Sequence, residues 1–262
     1  MNIIICIKQV PITENLKLKA GEHFRDNGLS RHINVFDTFA IEEAARIKDS
    51  FPDTRIILIS MGSQGAKRAL IEGLSIGADK AYLLDDSALK VYDSVQTAEA
   101  LAGAIRYIEN IEGKAPMIIA GNQSTDSGCG TVPYMLSELL DIEMIHSVVE
   151  MGLSCEKDRL NMTTRGSDDF KDISLPLPLI ISMTKGKHEV RMPTFKRIRE
   201  ANRAEINVID PSVIDLRDTH TKVLSVIKPG RNTRNSIVRS DDAEEGTAKL
   251  LEMLETDSIF AI

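Results

Sequence analysis

The chain has 262 residues, 42% of them hydrophobic, which is enough to bury a substantial core in one large domain or two small ones. A formal net charge of −7 and an aromatic content of 4% without tryptophan argue against a duplex or single-stranded nucleic-acid binder. No apolar run approaches the roughly 20 residues that span a bilayer, and the N-terminus lacks a basic signal-peptide region. We therefore expect a cytoplasmic protein without membrane insertion.

Short β-branched runs alternate with segments of helical period through the first two-thirds of the chain. This alternation is typical of a parallel sheet with helices on both faces. We predict strands at residues 2–8, 55–60, 80–84 and 116–120. Helices are predicted at residues 38–49, 64–76, 93–109 and 131–140, with Asp37 and Asp93 as N-caps and Gly77 as a left-handed C-cap.

The pattern changes after residue 145. Residues 147–153 and 159–164 flank a polar turn and predict an antiparallel hairpin, so the sheet should be mixed. A further strand is predicted at 178–183, and residues 185–203 indicate an exposed loop followed by a basic helix. The predicted fold class is α/β: a Rossmann-like three-layer sandwich with a mostly parallel sheet, an added antiparallel hairpin and an extended C-terminal arm.

The C-terminal arm begins at residue 215. Residues 229–235 are too polar to pack as core, and an amphipathic helix is predicted beyond them at 243–254. A helix separated from the domain by a long polar connection must bury its leucines elsewhere, and another chain is the expected place. We accordingly divide the chain into an α/β nucleotide-binding domain, residues 1–214, and an arm that docks on a partner subunit, residues 215–262.

A long loop after the fourth predicted strand is the strongest chemical feature. Its candidate ligand-binding residues are Gly121, Asn122, Gln123, Ser124, Thr125, Asp126, Gly128, Cys129, Gly130, Thr131 and Val132. Small residues let the backbone approach a ligand, and amides at a helix N-terminus favour a phosphate. Ligands of open α/β sheets lie beyond the carboxyl ends of the strands, where this loop belongs. An ordinary strand-to-helix loop is the alternative, since the loop matches no standard phosphate motif.

Other candidate residues follow at the same predicted edge of the sheet. The first strand leads into Cys6, Ile7 and Lys8, the second into Ser60, Met61 and Gly62, and the helices begin near Asn34, Phe36, Asp37, Asp93 and Thr97. Lys8 could neutralise a phosphate or be an ordinary surface lysine. Asn34 and Asp37 could face an adenine or ribose, although Asp37 could equally cap its helix.

No nucleophilic catalyst or metal site is predicted. The five histidines are scattered and no serine or cysteine lies in a recognisable elbow. Three widely spaced cysteines give neither a disulfide framework nor zinc spacing. Cys129, the one cysteine in the candidate loop, is interpreted as a small packing residue, because nothing near it in sequence could act as its base.

Taken in order, these segments resemble the β subunits of electron transfer flavoproteins over nearly the whole chain. The resemblance is carried by residues 6–11, 33–44, 60–62, 77–79 and 121–132, and by residues 191–195 followed by Ile198 and Ala201. Each motif is weak alone, but their collinear order is specific. Val35 and Pro133 depart from the family pattern, as does the composition of residues 126–131.

The resemblance implies an electron carrier that works as a heterodimer with a larger α subunit and leaves the redox chemistry to a flavin. One branch of the family binds AMP in this subunit, whereas the electron-bifurcating and nitrogen-fixation-linked branch places a second FAD there and oxidises NADH. Residues 93–97 and Phe39 are similar to the second branch, so we expect FAD, with AMP as the alternative.

The resemblance also implies a docking site for a redox partner. The loop containing Phe195, Lys196 and Arg197 is similar to the one with which such proteins dock onto acyl-CoA dehydrogenases. A hypothesis from another class is a nucleotide-sensing module of the universal-stress type, which shares the general α/β plan. Such a sensor should be a stable homodimer, whereas an electron transfer subunit should need its α partner.

Overall fold

The computed structural model describes residues 1–12, 29–86, 93–215, 221, 224 and 237–256. The larger of two compact units contains all of these except residues 237–256, which belong to the second unit. Strands of the larger unit are β1 (Asn2–Cys6), β2 (Gln9–Pro11), β3 (Arg31–Ile33), β4 (Arg55–Gly62), β5 (Lys80–Asp85), β6 (Met117–Gly121), β7 (Met144–Leu153), β8 (Arg159–Arg165), β9 (Phe170–Pro176), β10 (Leu179–Met183) and β11 (Asn207–Ile209). Its helices are α1 (Val35–Ser50), α2 (Lys67–Ile76), α3 (Ser94–Glu112), α4 (Val132–Leu140) and α5 (Phe195–Ala201), with short 3-10 turns at Gln64–Ala66 and Pro211–Val213; the second unit contributes α6 (Ala243–Thr256).

A nine-stranded sheet with the order β11-β5-β4-β1-β6-β10-β7-β8-β9 forms the centre of the larger unit. Neighbouring strands are parallel from β11 to β7 and antiparallel from β7 to β9. The apolar strands are buried on both faces, as parallel strands between helices should be. Ile3 and Ile5 pack with α1 and α2, whereas Ile4 packs with α3 and α4 on the other face. The predicted three-layer α/β sandwich with a mixed sheet is confirmed.

Three strand pairings were not predicted. β9 extends the predicted hairpin to three antiparallel strands, and it escaped prediction because its side chains are mostly exposed, including Phe170 at 61%. β2 and β3 form a small separate antiparallel sheet, and β11 adds a parallel edge strand beside β5. β2, β3 and β11 have three residues each, which is too few for a period to be recognised.

Two details of the helix ends differ from prediction. α1 begins three residues earlier than predicted, so the assignment of Asp37 as N-cap is wrong: Asn34 holds that position and Asp37 lies in the first turn. Gly77 ends α2 but has a φ of 179°, so its left-handed assignment is wrong as well. A Cβ at this glycine would lie 3.0 Å from the Cβ of Ala45, so close packing explains the residue. Asp93 caps α3 as predicted, accepting a 2.9 Å hydrogen bond from the Gln96 amide.

The predicted amphipathic helix of the second unit is present as α6. Leu250 and Leu251 on it are about half exposed. The polar stretch 229–235 lies outside the described residues, and the division of the chain at residues 214 and 215 stays a prediction. None of the helices in the described ranges is both long enough and apolar enough to cross a bilayer.

Candidate functional site

The carboxyl ends of the parallel strands β1, β4 and β6 lie at one edge of the sheet. Here the structure brings together three of the predicted groups: the residues after β1, the start of α1, and the loop of residues 122–131 after β6. The Asn34 amide donates to the Lys8 carbonyl over 2.9 Å, and the Lys8 ammonium lies 2.9 Å from the Asp126 carboxylate. Groups far apart in sequence therefore share one edge.

Asn34 ties these groups together. Its side chain is 1% exposed, and Nδ2 donates to Asp37 Oδ1 and to the Gln123 carbonyl, both over 2.9 Å. Its Oδ1 accepts from the Thr125 amide over 3.2 Å. Both donor hydrogens are thus used inside the protein, and the side chain fixes the loop to the start of α1.

Asp37 is the buried acceptor at the centre of the edge. Its carboxylate accepts hydrogen bonds from the Lys8 amide at 2.7 Å, from Asn34, and from the Gly121 amide at 3.2 Å. Burial raises the pKa of Asp37 to about 7, although the three hydrogen bonds act in the opposite direction. Burial, reinforced by the nearby Asp37, also raises the pKa of the Cys6 thiol to about 12, which keeps this cysteine from acting as a nucleophile.

Gly121 is required by this arrangement, and its replacement provides a direct test. A Cβ here would lie 2.2 Å from Asp37 Oδ1 and 2.8 Å from the Cβ of Phe36. We expect Gly121→Ala to lower the free energy of unfolding by about 2–3 kcal/mol in urea denaturation, because α1 or the loop must shift. Gly152→Ala is the control: its Cβ would meet nothing within 4 Å, so we expect a change within about 0.5 kcal/mol. Equal stability of the two variants would contradict this packing.

Lys8 and Asp126 form an ion pair over the loop. The Lys8 ammonium lies 2.9 Å from each Asp126 oxygen and 3.5 Å from the Ser124 hydroxyl. Burial opposes ionisation of Asp126, but the hydrogen bond and charge of Lys8 hold the pKa of this carboxyl below its ordinary value. The cation predicted to meet a phosphate is therefore engaged by a carboxylate of the same chain.

The loop ends at the N-terminus of α4. Thr131 occupies the N-cap position with helical torsion angles, and its side chain makes no capping hydrogen bond. Gly128 and Gly130 have φ values of +66° and +64°, a region that favours glycine. A Cβ at Gly130 would lie 2.9 Å from the Asn122 carbonyl oxygen. The backbone therefore approaches itself closely here and leads into a helix start that its N-cap side chain leaves uncapped.

The remaining predicted residues lie near this edge or at neighbouring helix starts. Ser60 is completely buried, and its hydroxyl has no hydrogen-bond partner among the residues that the structure describes. Met61 packs against the core on the α3 and α4 face. Asp93 and Thr97 are engaged in the first turn of α3, where the Thr97 hydroxyl donates to the Asp93 carbonyl over 2.8 Å. Cys129 is exposed, which does not fit the interpretation of a packing residue.

The predicted docking residues fall on α5 and differ in environment. Phe195 is 93% exposed, and the Lys196 side chain is 84% exposed with Glu200 at 4.0 Å. Arg197 instead donates to the Gly77 carbonyl at the end of α2 over 3.2 Å. Its guanidinium therefore holds α5 against α2.

A group of polar contacts made by α1 was not predicted from the sequence. Glu42 and Glu43 are buried and contact Arg191 and His188 respectively. Two adjacent glutamates within a helix that is otherwise largely apolar on its inner side were the available signal.

Two clefts lie away from the candidate loop. One, of about 390 Å³, runs along β7, β8 and β9, and the other, of about 440 Å³, lies between α3 and α4 near Pro116.

Comparison with known proteins gives consistent matches over most of the chain. The family described as "Electron transfer flavoprotein domain" matches residues 23–214. The electron transfer flavoprotein subunit beta of Megasphaera elsdenii is 30% identical over 255 residues, which cover 94% of each chain. Protein FixA of Azotobacter vinelandii is 29% identical, covering 93% of this chain and 90% of FixA. Subunit CarD of the caffeyl-CoA reductase-Etf complex of Acetobacterium woodii is 26% identical, covering 99% of this chain and all of CarD.

Proposed function

The chain belongs to the electron transfer flavoprotein family as a β-type subunit, and we propose that it binds an adenine nucleotide, FAD rather than AMP, at the edge formed by Lys8 and the loop of residues 121–132. Subunits of this family pair with an α subunit, so the working unit is a heterodimer. Flavin, when bound, supplies the electron transfer chemistry. The residues of this chain bind and orient the nucleotide.

The observation that carries the proposal is the start of α4. Apart from Pro133, which has no N–H, its first backbone amides receive no side-chain cap from Thr131. They follow a glycine-containing loop fixed at the carboxyl edge of the sheet. Such amides, with the positive end of the helix dipole, suit a phosphate. Lys8 supplies a nearby positive charge. Asn34 and Asp37 support the loop from behind and do not contact the nucleotide in this proposal, because their hydrogen-bonding capacity is largely used internally.

FAD is preferred to AMP on the segment of residues 93–97, which resembles the bifurcating and nitrogen-fixation-linked branch. The similarity to FixA and to CarD supports the same branch. On this proposal NADH is an electron donor in the cytoplasm, and electrons from the flavins are divided between acceptors. A redox partner such as an acyl-CoA dehydrogenase buries the exposed Phe195 side chain when it docks. The positive charge of the exposed Lys196 attracts an acidic surface of that partner.

Nucleotide content distinguishes the alternatives. We expect the heterodimer, purified with its α subunit and then denatured, to release FAD from this chain in addition to the flavin of the α subunit. Chromatography of the released nucleotides should then give two FAD and no AMP. One FAD with one AMP would reverse the choice of nucleotide, and release of a single FAD alone would contradict the proposed site. The α subunit expressed by itself is the control for its own flavin.

A further inference from the structure

Two adjacent glutamates of α1 are buried and hydrogen-bonded to one segment of the chain. Glu42 is 5% exposed and Glu43 is 2% exposed. Their partners lie in residues 184–194, which join β10 to α5 and are called the connecting segment below. Buried carboxylates are costly unless they are paired and hydrogen-bonded. The pairing of both glutamates with this one segment therefore requires an explanation.

Arg191 is held by Glu42 through both its backbone and its side chain. The Arg191 amide donates to Glu42 Oε2 over 3.0 Å, Nε donates to the same oxygen over 2.8 Å, and Nη2 donates to Oε1 over 3.0 Å. Asp49, two turns further along α1, accepts from Nη2 over 2.8 Å. A bidentate guanidinium–carboxylate pair fixes orientation as well as distance. The backbone is thus fixed three residues before Thr194, the N-cap of α5.

Glu43 holds the earlier part of the connecting segment. Its Oε1 lies 2.7 Å from His188 Nδ1, and its Oε2 accepts from the Met151 amide of β7 over 3.1 Å. Backbone hydrogen bonds add to this attachment: the Thr184 amide donates to Val148 over 3.0 Å and the Lys187 amide to Val149 over 3.2 Å. The connecting segment is therefore attached to both α1 and β7, although it has no helix or strand of its own.

Large apolar side chains stand directly beside these attachments. Met192 is 88% exposed and Phe195 is 93% exposed. If the connecting segment were mobile, a partner that buries these side chains would have to order it, and the lost conformational entropy would weaken binding. A segment that is already fixed avoids this cost. A buried ion pair is often no more stabilising than apolar packing of the same volume. What the hydrogen bonds of Glu42 and Glu43 do impose is a defined position of the connecting segment against α1 and β7.

We propose that Glu42 and Glu43 are positioning residues for docking: through Arg191 and His188 they hold the connecting segment so that Met192 and Phe195 meet the partner in one fixed arrangement. The inference rests on the proposed docking of an acyl-CoA dehydrogenase at Phe195. It assigns the glutamates no contact with that partner.

The test uses the intact heterodimer as the electron-accepting substrate of a purified acyl-CoA dehydrogenase. Glu42→Gln keeps the size of the side chain but removes its charge. Arg191→Lys keeps the positive charge but removes the bidentate hydrogen bonding of the guanidinium group. We expect both to raise the KM for the heterodimer about tenfold with little change in kcat, since only the ordering cost of docking changes. Amide hydrogen exchange of residues 184–195 should accelerate in both variants. Phe195→Ala serves as the test of docking itself.

Asp169→Asn is the matched control, because it breaks an exposed ion pair with Lys171 at the start of β9, outside the connecting segment and α5. It should leave KM and exchange unchanged. If Phe195→Ala raises KM but Glu42→Gln and Arg191→Lys do not, the positioning role is overturned while docking at Phe195 stands. If Phe195→Ala has no effect, the docking function fails. Amide hydrogen exchange then tests the glutamates without reference to docking. Unchanged exchange rates of the connecting segment in Glu42→Gln and in Glu43→Gln would overturn their hold on it, and faster rates would support that hold.

Discussion

Replacing Asp37 with asparagine should remove a pH-dependent part of the stability of the chain. Asp37 titrates at about 7 in the folded protein, against an ordinary value of 3.8, because burial outweighs its three hydrogen bonds. Between these values the folded chain keeps a proton that the unfolded chain has released. The stabilisation from this group is therefore complete below about pH 4 and is lost as the pH rises through about 7, a fall of about 1.4 kcal/mol per pH unit.

The measurement is urea unfolding of the full-length chain between pH 4 and pH 8. We expect the difference in free energy of unfolding between wild type and Asp37→Asn to fall by up to about 4 kcal/mol as the pH rises from about 4 to about 7, and to be flat above. Asp53→Asn removes an exposed carboxylate as a control and should leave the profile unchanged. A constant difference between wild type and Asp37→Asn would mean that the donated hydrogen bonds keep this carboxylate ionised in the folded chain.

The layers of the fold were predictable because strands that are buried on both faces have continuous apolar runs in the sequence. The run Ile3, Ile4 and Ile5 is typical of a strand covered on both faces, and the helices between such strands follow from their period. The exposed strand β9 carries no such signal. Its position depends on backbone pairing with β8 along its whole length, which side-chain polarity does not encode.

The site was predictable in location and less so in the roles of its residues. Parallel strands bring Lys8 and Gly121 to one edge whatever the details of the loops. The roles of Asn34 and Asp37 depended on where α1 begins, and a shift of three residues turned Asp37 from a cap into a buried acceptor. Which partner each polar group takes is decided by contacts between residues about 90 positions apart, such as that of Asn34 with Thr125. A sequence pattern of local period contains no information on such pairs.

The contacts of Glu42 and Glu43 could not be predicted for the same physical reason. Glu42 and Glu43 read as solvent-facing residues of an amphipathic helix, since charged residues are rarely buried unless paired. Their partners, Arg191 and His188, lie about 145 residues further along in a segment without periodicity. Only the fold, in which β10 leads into that segment beside α1, brings these partners together.

The ion pair between Lys8 and Asp126 leads to opposite effects of its two members on nucleotide binding. If Lys8 meets the phosphate, Asp126 competes with that phosphate for the same ammonium group. We expect Lys8→Met to weaken retention of the nucleotide about 10- to 100-fold, since a hydrogen bond to a charged group contributes roughly 1.5–3 kcal/mol. Asp126→Asn removes the competing charge at nearly constant size and should tighten binding severalfold.

The comparison needs nucleotide-depleted heterodimer titrated with FAD and, separately, with AMP. Lys114→Met is the matched control, because Lys114 forms a similar exposed pair with Glu109 over 2.6 Å just before β6, at the opposite edge of the sheet. It should bind as wild type does. Stronger effects at low salt than at high salt would agree with a role of charge in the exposed pair. If Lys8→Met binds normally while Asp126→Asn binds weakly, the roles are exchanged: Asp126 is then the ligand-contacting group, and Lys8 only holds it in place.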